Sequence, residues 1–209
     1  ENLGFKTVVL KEPTQSEFGE IIKKMTLHNI DHFRNPRKES KWFIEDRKID
    51  VKKNIKPNLD KGNVVIMDRY YYSNMAYQGA LGLDSEIIKE ENEKIAPIPN
   101  IVIILDVSPK VGIERIRHKR GEKTNNYEKL DYLTKVREKF IDMLKYPNVK
   151  LVNGDGNMGK EEITEDILNQ VLVCKDCKKN FRITKGEFDF YKRMGLPLPH
   201  KDFECRHQD

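Results

Sequence analysis

Short aliphatic runs rich in β-branched residues alternate along this chain with longer amphipathic stretches. Each run has the length and composition of a buried strand, and the stretches between them repeat apolar residues at helical spacing. The predicted strands cover residues 7–11, 64–68, 100–107 and 149–154. Strands that alternate with helices pair in parallel, and the helices cover both faces of their sheet. The sequence therefore predicts an α/β fold with a doubly wound parallel sheet.

Helix signals separate the strands. Ser73 has the side chain of an N-cap, and Gly62 is suited to end the helix that precedes it. Pro57 lies near the end of that helix and is expected to kink it. The predicted helices cover residues 17–27, 41–59, 73–80, 84–95, 108–120, 128–144 and 160–173. Residues 28–40 are polar and predict a connection.

The second strand ends in the charged pair Asp68 and Arg69. Ligands of open α/β sheets bind at the carboxyl ends of the strands. A carboxylate there suits Mg²⁺ or its waters, and a guanidinium matches a phosphate in two-pronged geometry. A structural ion pair is the simpler explanation for an isolated Asp-Arg dipeptide. The residues that follow favour the phosphate site.

Composition narrows the class of protein. The 209 residues allow one α/β domain and a small appendage, and the net charge of +5 suits anionic substrates without indicating nucleic-acid binding. No apolar run approaches the roughly 20 residues that span a bilayer, and residues 1–6 lack the pattern of a signal peptide. The three cysteines all follow residue 173, which predicts a reducing, cytoplasmic location.

The segment Asp68-Arg69-Tyr70-x-x-Ser73-Asn74-x-Ala76-Tyr77-Gln78-Gly79-Ala80 resembles the signature of thymidylate kinases. The resemblance extends to about Val173 and includes Glu12-Pro13-Thr14, Phe43-x-x-x-Arg47 and Leu105-Asp106-Val107. It implies a P-loop kinase-like fold and transfer of the γ-phosphoryl group of ATP, bound with Mg²⁺, to dTMP. A kinase for another deoxynucleotide is an alternative.

The resemblance also implies roles for individual residues. Arg69 would hold the acceptor phosphate, with Glu12 and Asp68 near the magnesium ion. Phe43 would stack on the thymine ring, and Arg47 would bond to its edge. Tyr77 would lie under the deoxyribose, and the remaining base contacts would come from Ser73, Asn74 and Gln78. Without the resemblance, Phe43 suits a core position and Arg47 a solvated helix face.

Basic residues precede a hydrophilic stretch at the position of the family's mobile lid. Arg117 and Arg120 are the candidates for stabilising charge during phosphoryl transfer. A solvated basic helix face explains them equally well.

The phosphate-binding loop of such kinases, G-x-x-x-x-G-K-[ST], does not occur before Glu12. By resemblance, its strand is the central one of five and lies between the strands that end at Asp68 and Asp106. We therefore expect an amino-terminally truncated kinase that is inactive without the missing segment. Gly154–Glu161 copies the loop spacing, but it lacks the terminal hydroxyl, and acidic residues follow its lysine; we interpret it as a turn.

The last residues, 174–209, form a separate predicted domain after a kinase-like domain of residues 1–173. Cys174-x-x-Cys177 has the spacing of a zinc knuckle, and the tail resembles the zinc ribbons of some bacterial proteins. The predicted zinc ligands are Cys174, Cys177, Cys205 and His200. Asp202 stands where the ribbon pattern has a cysteine, and His207 is another possible fourth ligand. A ribbon that has lost its metal is the alternative.

A different class of function also fits the sequence. The kinase-like part would be an inactive scaffold, and the basic tail would bind nucleic acid or protein. The resemblance to the kinases further predicts a homodimer, and nothing in the sequence predicts a membrane partner.

Overall fold

The computed structural model describes residues 6–27, 35–120, 129–155, 159–172, 176–177, 185–196 and 199–206. The chain divides into two compact units. One consists of Thr7–Pro99 and Val107–Pro147, and the other of Glu1–Lys6, Asn100–Asp106 and Asn148–Asp209. The tail thus falls in the same unit as residues 148–173, and the domain boundary at residue 173 stays a prediction.

Strands and helices alternate as the sequence predicts. The strands are β1 (Thr7–Lys11), β2 (Val64–Asp68), β3 (Val102–Asp106) and β4 (Val149–Asn153). The helices are α1 (Glu17–Leu27), α2 (Pro36–Asp50), α3 (Lys56–Leu59), α4 (Tyr71–Ala80), α5 (Ser85–Glu93), α6 (Pro109–Arg120), α7 (Leu130–Asp142), α8 (Lys160–Val171), α9 (Lys185–Met194) and α10 (Phe203–Arg206). Among the described residues, no helix has both the length and the apolar character needed to cross a membrane.

Both strand pairs are parallel, as predicted. Strand β1 pairs with β2, so that Thr7 lies opposite Val64 and Lys11 opposite Asp68. Strand β3 pairs with β4, with Val102 opposite Val149. The described strands thus form two two-stranded sheets, one in each unit.

The burial predicted for both faces of β2 is wrong. Val64 and Ile66 are 42% and 50% exposed, and Val9 is 69% exposed. The parallel register places Val9 opposite Ile66, so these apolar side chains share one face of the sheet. Among the described residues, nothing buries that face.

Helix α4 forms the core of its unit. Tyr71, Met75 and Ala76 have no exposed surface, and α4 packs against α5 and α7, which contribute Ile88 and Val136 to the same core. This packing fixes the start of α4 and therefore the position of the Asp68-Arg69 pair that precedes it.

Two predictions about helix starts need correction. Helix α2 begins at Pro36 rather than residue 41, because the Asn35 side chain accepts a bond from the Lys38 amide (2.9 Å) and proline suits the first turn. Ser73 is not an N-cap, since α4 begins at Tyr71. The helical stretch continues to Leu59 as predicted: α2 is followed by a π-helical turn, Val51–Ile55, and by α3, which contains Pro57, and the Lys56 amide bonds to the Val51 carbonyl.

Candidate active site

The pair at the carboxyl end of β2 is exposed and held from two sides. Lys11 donates to the Asp68 carboxylate at 2.6 Å, and the Asp68 side chain remains 54% exposed. The Arg69 guanidinium lies over the Tyr77 ring, with 5.4 Å between Cζ and the ring centroid. A cation over an aromatic face is attracted by the ring electrons. Tyr77 therefore orients Arg69 while leaving its N–H groups available to a ligand.

The Arg69 backbone adopts a left-handed conformation, with φ of 71°. Among the residues described, it is the one non-glycine residue with positive φ. Side chains other than glycine, asparagine and aspartate rarely take this conformation, which costs roughly 1–3 kcal/mol. The strained residue lies in the short link between β2 and α4 and points to a functional constraint at this position.

Behind this pair lies a buried ion pair between Glu12 and Arg47. The two side chains are 3% and 1% exposed, respectively. Arg47 donates from Nε to Glu12 Oε1 at 3.2 Å and from Nη2 to Oε2, and its Nη1 donates to Asn92 Oδ1. Its guanidinium also lies 5.2 Å from the Tyr70 ring centroid. Arg47 thus holds β1, α2 and α5 together, and the structure gives it partners other than a base edge.

Several carboxyl groups share the Arg47 charge. Burial raises the pKa of Glu12 from 4.5 to about 7, and the Arg47 guanidinium opposes that shift. Burial likewise raises the pKa of Asp50. Asp46 is satisfied by the Thr14 amide (2.9 Å) and by the Thr14 and Ser16 hydroxyls (both 2.5 Å). Because the carboxyl groups around Arg47 outnumber its single positive charge, the stability of this buried group of side chains depends on pH.

A pair of amide side chains lies on α4 facing α2. Asn74 donates to Gln78 Oε1 at 2.7 Å and to Ser40 Oγ at 3.4 Å. Asn74 Oδ1 and Gln78 Nε2 are buried, and neither has a hydrogen-bond partner among the described residues. A buried polar atom without a partner costs about 1–3 kcal/mol, so a ligand that supplies partners gains that amount. An unsatisfied acceptor beside an unsatisfied donor matches the edge of a pyrimidine base.

The other predicted site residues are more scattered. Phe43 is half-buried on α2, one turn from Ser40, and Ser73 is half-buried in the first turn of α4. The Tyr77 carbonyl accepts a bond from the Tyr132 hydroxyl at 2.8 Å. Arg117 is exposed on α6, and within the described part of the chain no hydrogen bond or ion pair joins it to Asp68 or Arg69. The Arg120 side chain lies outside the described residues.

Sequence reasoning missed several members of the site. Asn92 and Lys11 complete the partners of Arg47 and Asp68, and Asp46 anchors the turn after Glu12. Lys11 could have been found from the sequence, because pairing the two predicted strands in parallel places it opposite Asp68. Asn92 had none, since its contact with Arg47 spans 45 residues.

The structure also tests which carboxylates suit magnesium. Asp68 fits, because it is a hard oxygen donor exposed at the carboxyl end of a strand. Glu12 does not fit as a direct ligand, because both of its oxygens are engaged by Arg47.

Part of the predicted zinc site is brought together in the tail. Ligand atoms of Cys177, Asp202 and Cys205 all lie within 4.8 Å of one another. His200 is described but is not part of this group. Cys174 and His207 lie outside the described residues.

Parallel strands that alternate with helices, with a strained arginine and an exposed carboxylate at a strand's carboxyl end, are typical of α/β proteins whose ligands bind at that edge of the sheet. The family model for thymidylate kinase matches residues 1–167. A probable thymidylate kinase of Archaeoglobus fulgidus is 44% identical over 177 residues, which is 85% of each chain. One of Pyrococcus abyssi is 38% identical over 172 residues, covering 80% of this chain and 82% of the relative.

The fold agrees with these matches. A solved thymidylate kinase from Ehrlichia chaffeensis superposes with a TM-score of 0.61 at 22% identity, covering 79% of this chain and 80% of that one. This likeness confirms the predicted α/β fold of the P-loop kinases. The chain belongs to the thymidylate kinase family.

Proposed function

We propose that this protein transfers the γ-phosphoryl group of ATP to dTMP and so produces dTDP. Family membership supports a kinase, and the named relatives are thymidylate kinases or probable thymidylate kinases. The observation that carries the proposal is Arg69, a strained and exposed arginine held over Tyr77 at the end of β2. A free guanidinium in that position is suited to grip the acceptor phosphate.

The reaction makes one bond and breaks one. A phosphate oxygen of dTMP attacks the γ-phosphorus of ATP, and the bond from that phosphorus to the β–γ bridging oxygen breaks, so that ADP leaves. Arg69 reduces the repulsion between acceptor and donor phosphates and fixes the attacking oxygen. Magnesium bound with ATP neutralises charge on the transferred group, and Asp68 is the side chain that would hold the ion or its waters.

We assign selection of the base to the amide pair. Asn74 Oδ1 would accept the N3–H of thymine, and Gln78 Nε2 would donate to a neighbouring carbonyl oxygen. Both atoms are covered, so binding of the base requires side chains around them to move. Phe43, on the helix facing α4, is available for stacking. Arg47 stabilises the packing of α2 through its hydrogen bonds to Glu12 and Asn92.

Arg117 and Arg120 retain their proposed role in charge stabilisation. Arg117 is exposed and therefore free to approach the phosphates. Homodimer formation also stays a prediction.

Binding of the acceptor tests the proposal most directly. The measurement is calorimetric titration of this chain with dTMP, since the proposed acceptor contacts lie within the described residues. We expect Arg69→Ala to weaken dTMP binding by at least about tenfold, because one charge-assisted contact contributes about 1.5–3 kcal/mol. Arg193→Ala removes an exposed arginine from α9 and should leave binding unchanged. Equal affinities for the parent and Arg69→Ala would place the phosphate elsewhere.

Turnover is tested separately. The 209 residues contain no G-x-x-x-x-G-K-[ST] loop, and turnover is measured on the full-length gene product. ADP formation is followed with dTMP, dUMP and dCMP as acceptors. Rejection of dCMP relative to dTMP and dUMP supports the roles of Asn74 and Gln78, because uracil shares the N3–H and carbonyl edge of thymine and cytosine does not. Binding of dTMP without turnover would instead favour the scaffold alternative.

A further inference from the structure

Two segments of the tail that lie far apart in sequence converge on one point. Cys177 Sγ is 2.9 Å from Asp202 Oδ2, and the Cys205 sulfur completes a group whose three ligand atoms lie within 4.8 Å of one another. An ion pair between Asp176 and Lys201 at 3.0 Å joins the same two segments one residue earlier in each. Two successive contacts therefore hold these segments in register.

The carboxylate is oriented rather than mobile. Asp202 Oδ1 accepts the Cys205 backbone amide at 2.7 Å, which leaves Oδ2 directed at Cys177. Arg206 holds the same turn, donating to the Asp202 carbonyl at 3.3 Å and to Glu187 of α9 at 2.7 Å. Asp202 and Cys205 are three residues apart, which is also the spacing of Cys174 and Cys177. The side chains of Asp202 and Cys205 therefore lie on one side of a turn.

The spacing of the donors suits a tetrahedral ion. Zinc bonds of about 2.3 Å to sulfur and about 2.1 Å to oxygen place ligand atoms about 3.5–3.8 Å apart. The three donors lie within 4.8 Å of one another. The separation of Cys177 from Asp202 is shorter because a thiol proton now lies between them, and a metal would replace that proton. Cysteine thiolates and aspartate oxygens are both zinc ligands in proteins.

We propose that Cys177, Asp202 and Cys205 bind one zinc ion, with Asp202 in the position that we predict for His200. Binding releases the two thiol protons to solvent, and the ion then links the two segments of the tail. This site differs from an all-thiolate zinc site in that a carboxylate replaces one thiolate. The replacement lowers the affinity of the site for a thiophilic metal.

The test measures metal on the whole chain. After dialysis against metal-free buffer, the parent should retain close to one equivalent of zinc by mass spectrometry. A chelator competition should show that Asp202→Ala weakens zinc binding by more than about tenfold. His200→Asn and Glu204→Gln are the matched controls, and both should bind zinc as the parent does. Less than half an equivalent in the parent, or parent-like affinity in Asp202→Ala, would overturn the site.

Cobalt substitution identifies the ligands even if a variant folds poorly. Co²⁺ in the parent should give the visible bands of a tetrahedral ion and a sulfur-to-cobalt charge-transfer band. Asp202→Cys should strengthen the charge-transfer band and tighten zinc binding, because it adds a thiolate. Cys205→Ser should weaken the same band. Asp202→Cys with an unchanged spectrum, or His200→Asn with a lost spectrum, would refute the assignment of Asp202.

Discussion

Replacing Arg47 by methionine tests the buried cluster behind the active site. The substitution keeps most of the side-chain volume but leaves Glu12, which is 3% exposed, without its charged partner. Breaking a buried ion pair from one side costs about 3–5 kcal/mol. That loss is a large share of the roughly 5–15 kcal/mol by which domains are stable. The cost also depends on pH, because Glu12 can take up a proton instead of remaining charged.

The sign of the pH effect follows from the Glu12 pKa. It is raised from 4.5 to about 7 in the folded protein, so the stability it contributes is present below pH 4.5 and lost as pH rises through about 7. Removing Arg47 removes the charge that opposes this rise, and the folded-state pKa of Glu12 increases further. We therefore expect Arg47→Met to cost about 1 kcal/mol near pH 5, where Glu12 is protonated in both folded proteins, and about 3–5 kcal/mol near pH 8.5.

Urea unfolding followed by circular dichroism measures both values. Lys48→Met is the control on the same helix, because Lys48 forms a 2.6 Å ion pair with Glu45 in which both side chains are more than 40% exposed; its cost should be below about 1 kcal/mol at either pH. The double substitution Glu12→Leu with Arg47→Met should recover most of the loss, since it removes both members of the buried pair. A cost of Arg47→Met that equals the control, or that does not grow with pH, refutes the buried-pair reasoning.

Two further predictions concern the base contacts and a tight helix contact. Asn74→Ala should weaken dTMP binding by about tenfold, since one hydrogen bond to a buried acceptor contributes about 1–2 kcal/mol; calorimetry that gives parent affinity would remove Asn74 from the site. Gly19→Ala should destabilise the protein by more than about 1 kcal/mol, because its Cβ would lie 2.2 Å from the Thr14 carbonyl oxygen. Gly112→Ala meets nothing within 4 Å and should raise the melting temperature, as alanine favours a helix; equal effects of the two substitutions would contradict the clash.

The sequence by itself determined the elements and the charged end of β2. Aliphatic runs gave the strands β1, β2, β3 and β4 to within two residues of their ends, and apolar spacing placed α1 over the same residues, 17–27, as the structure. These signals are local, because the apolar repeat of a strand or a helix is visible within a few neighbouring residues. The Asp68-Arg69 pair was visible for the same reason, since a strand end is recognised from the run that precedes it.

Only the tertiary structure decided what the charges do. Burial of Arg47 between Glu12 and Asn92 depends on contacts across 35 and 45 residues, and neither partner is marked in the sequence around Arg47. The same holds for Asp202, which joins Cys177 across 25 residues. Hydrogen bonds and ion pairs between distant segments depend on how those segments pack. Side-chain roles in this protein therefore follow from packing, whereas its strands and helices follow from local pattern.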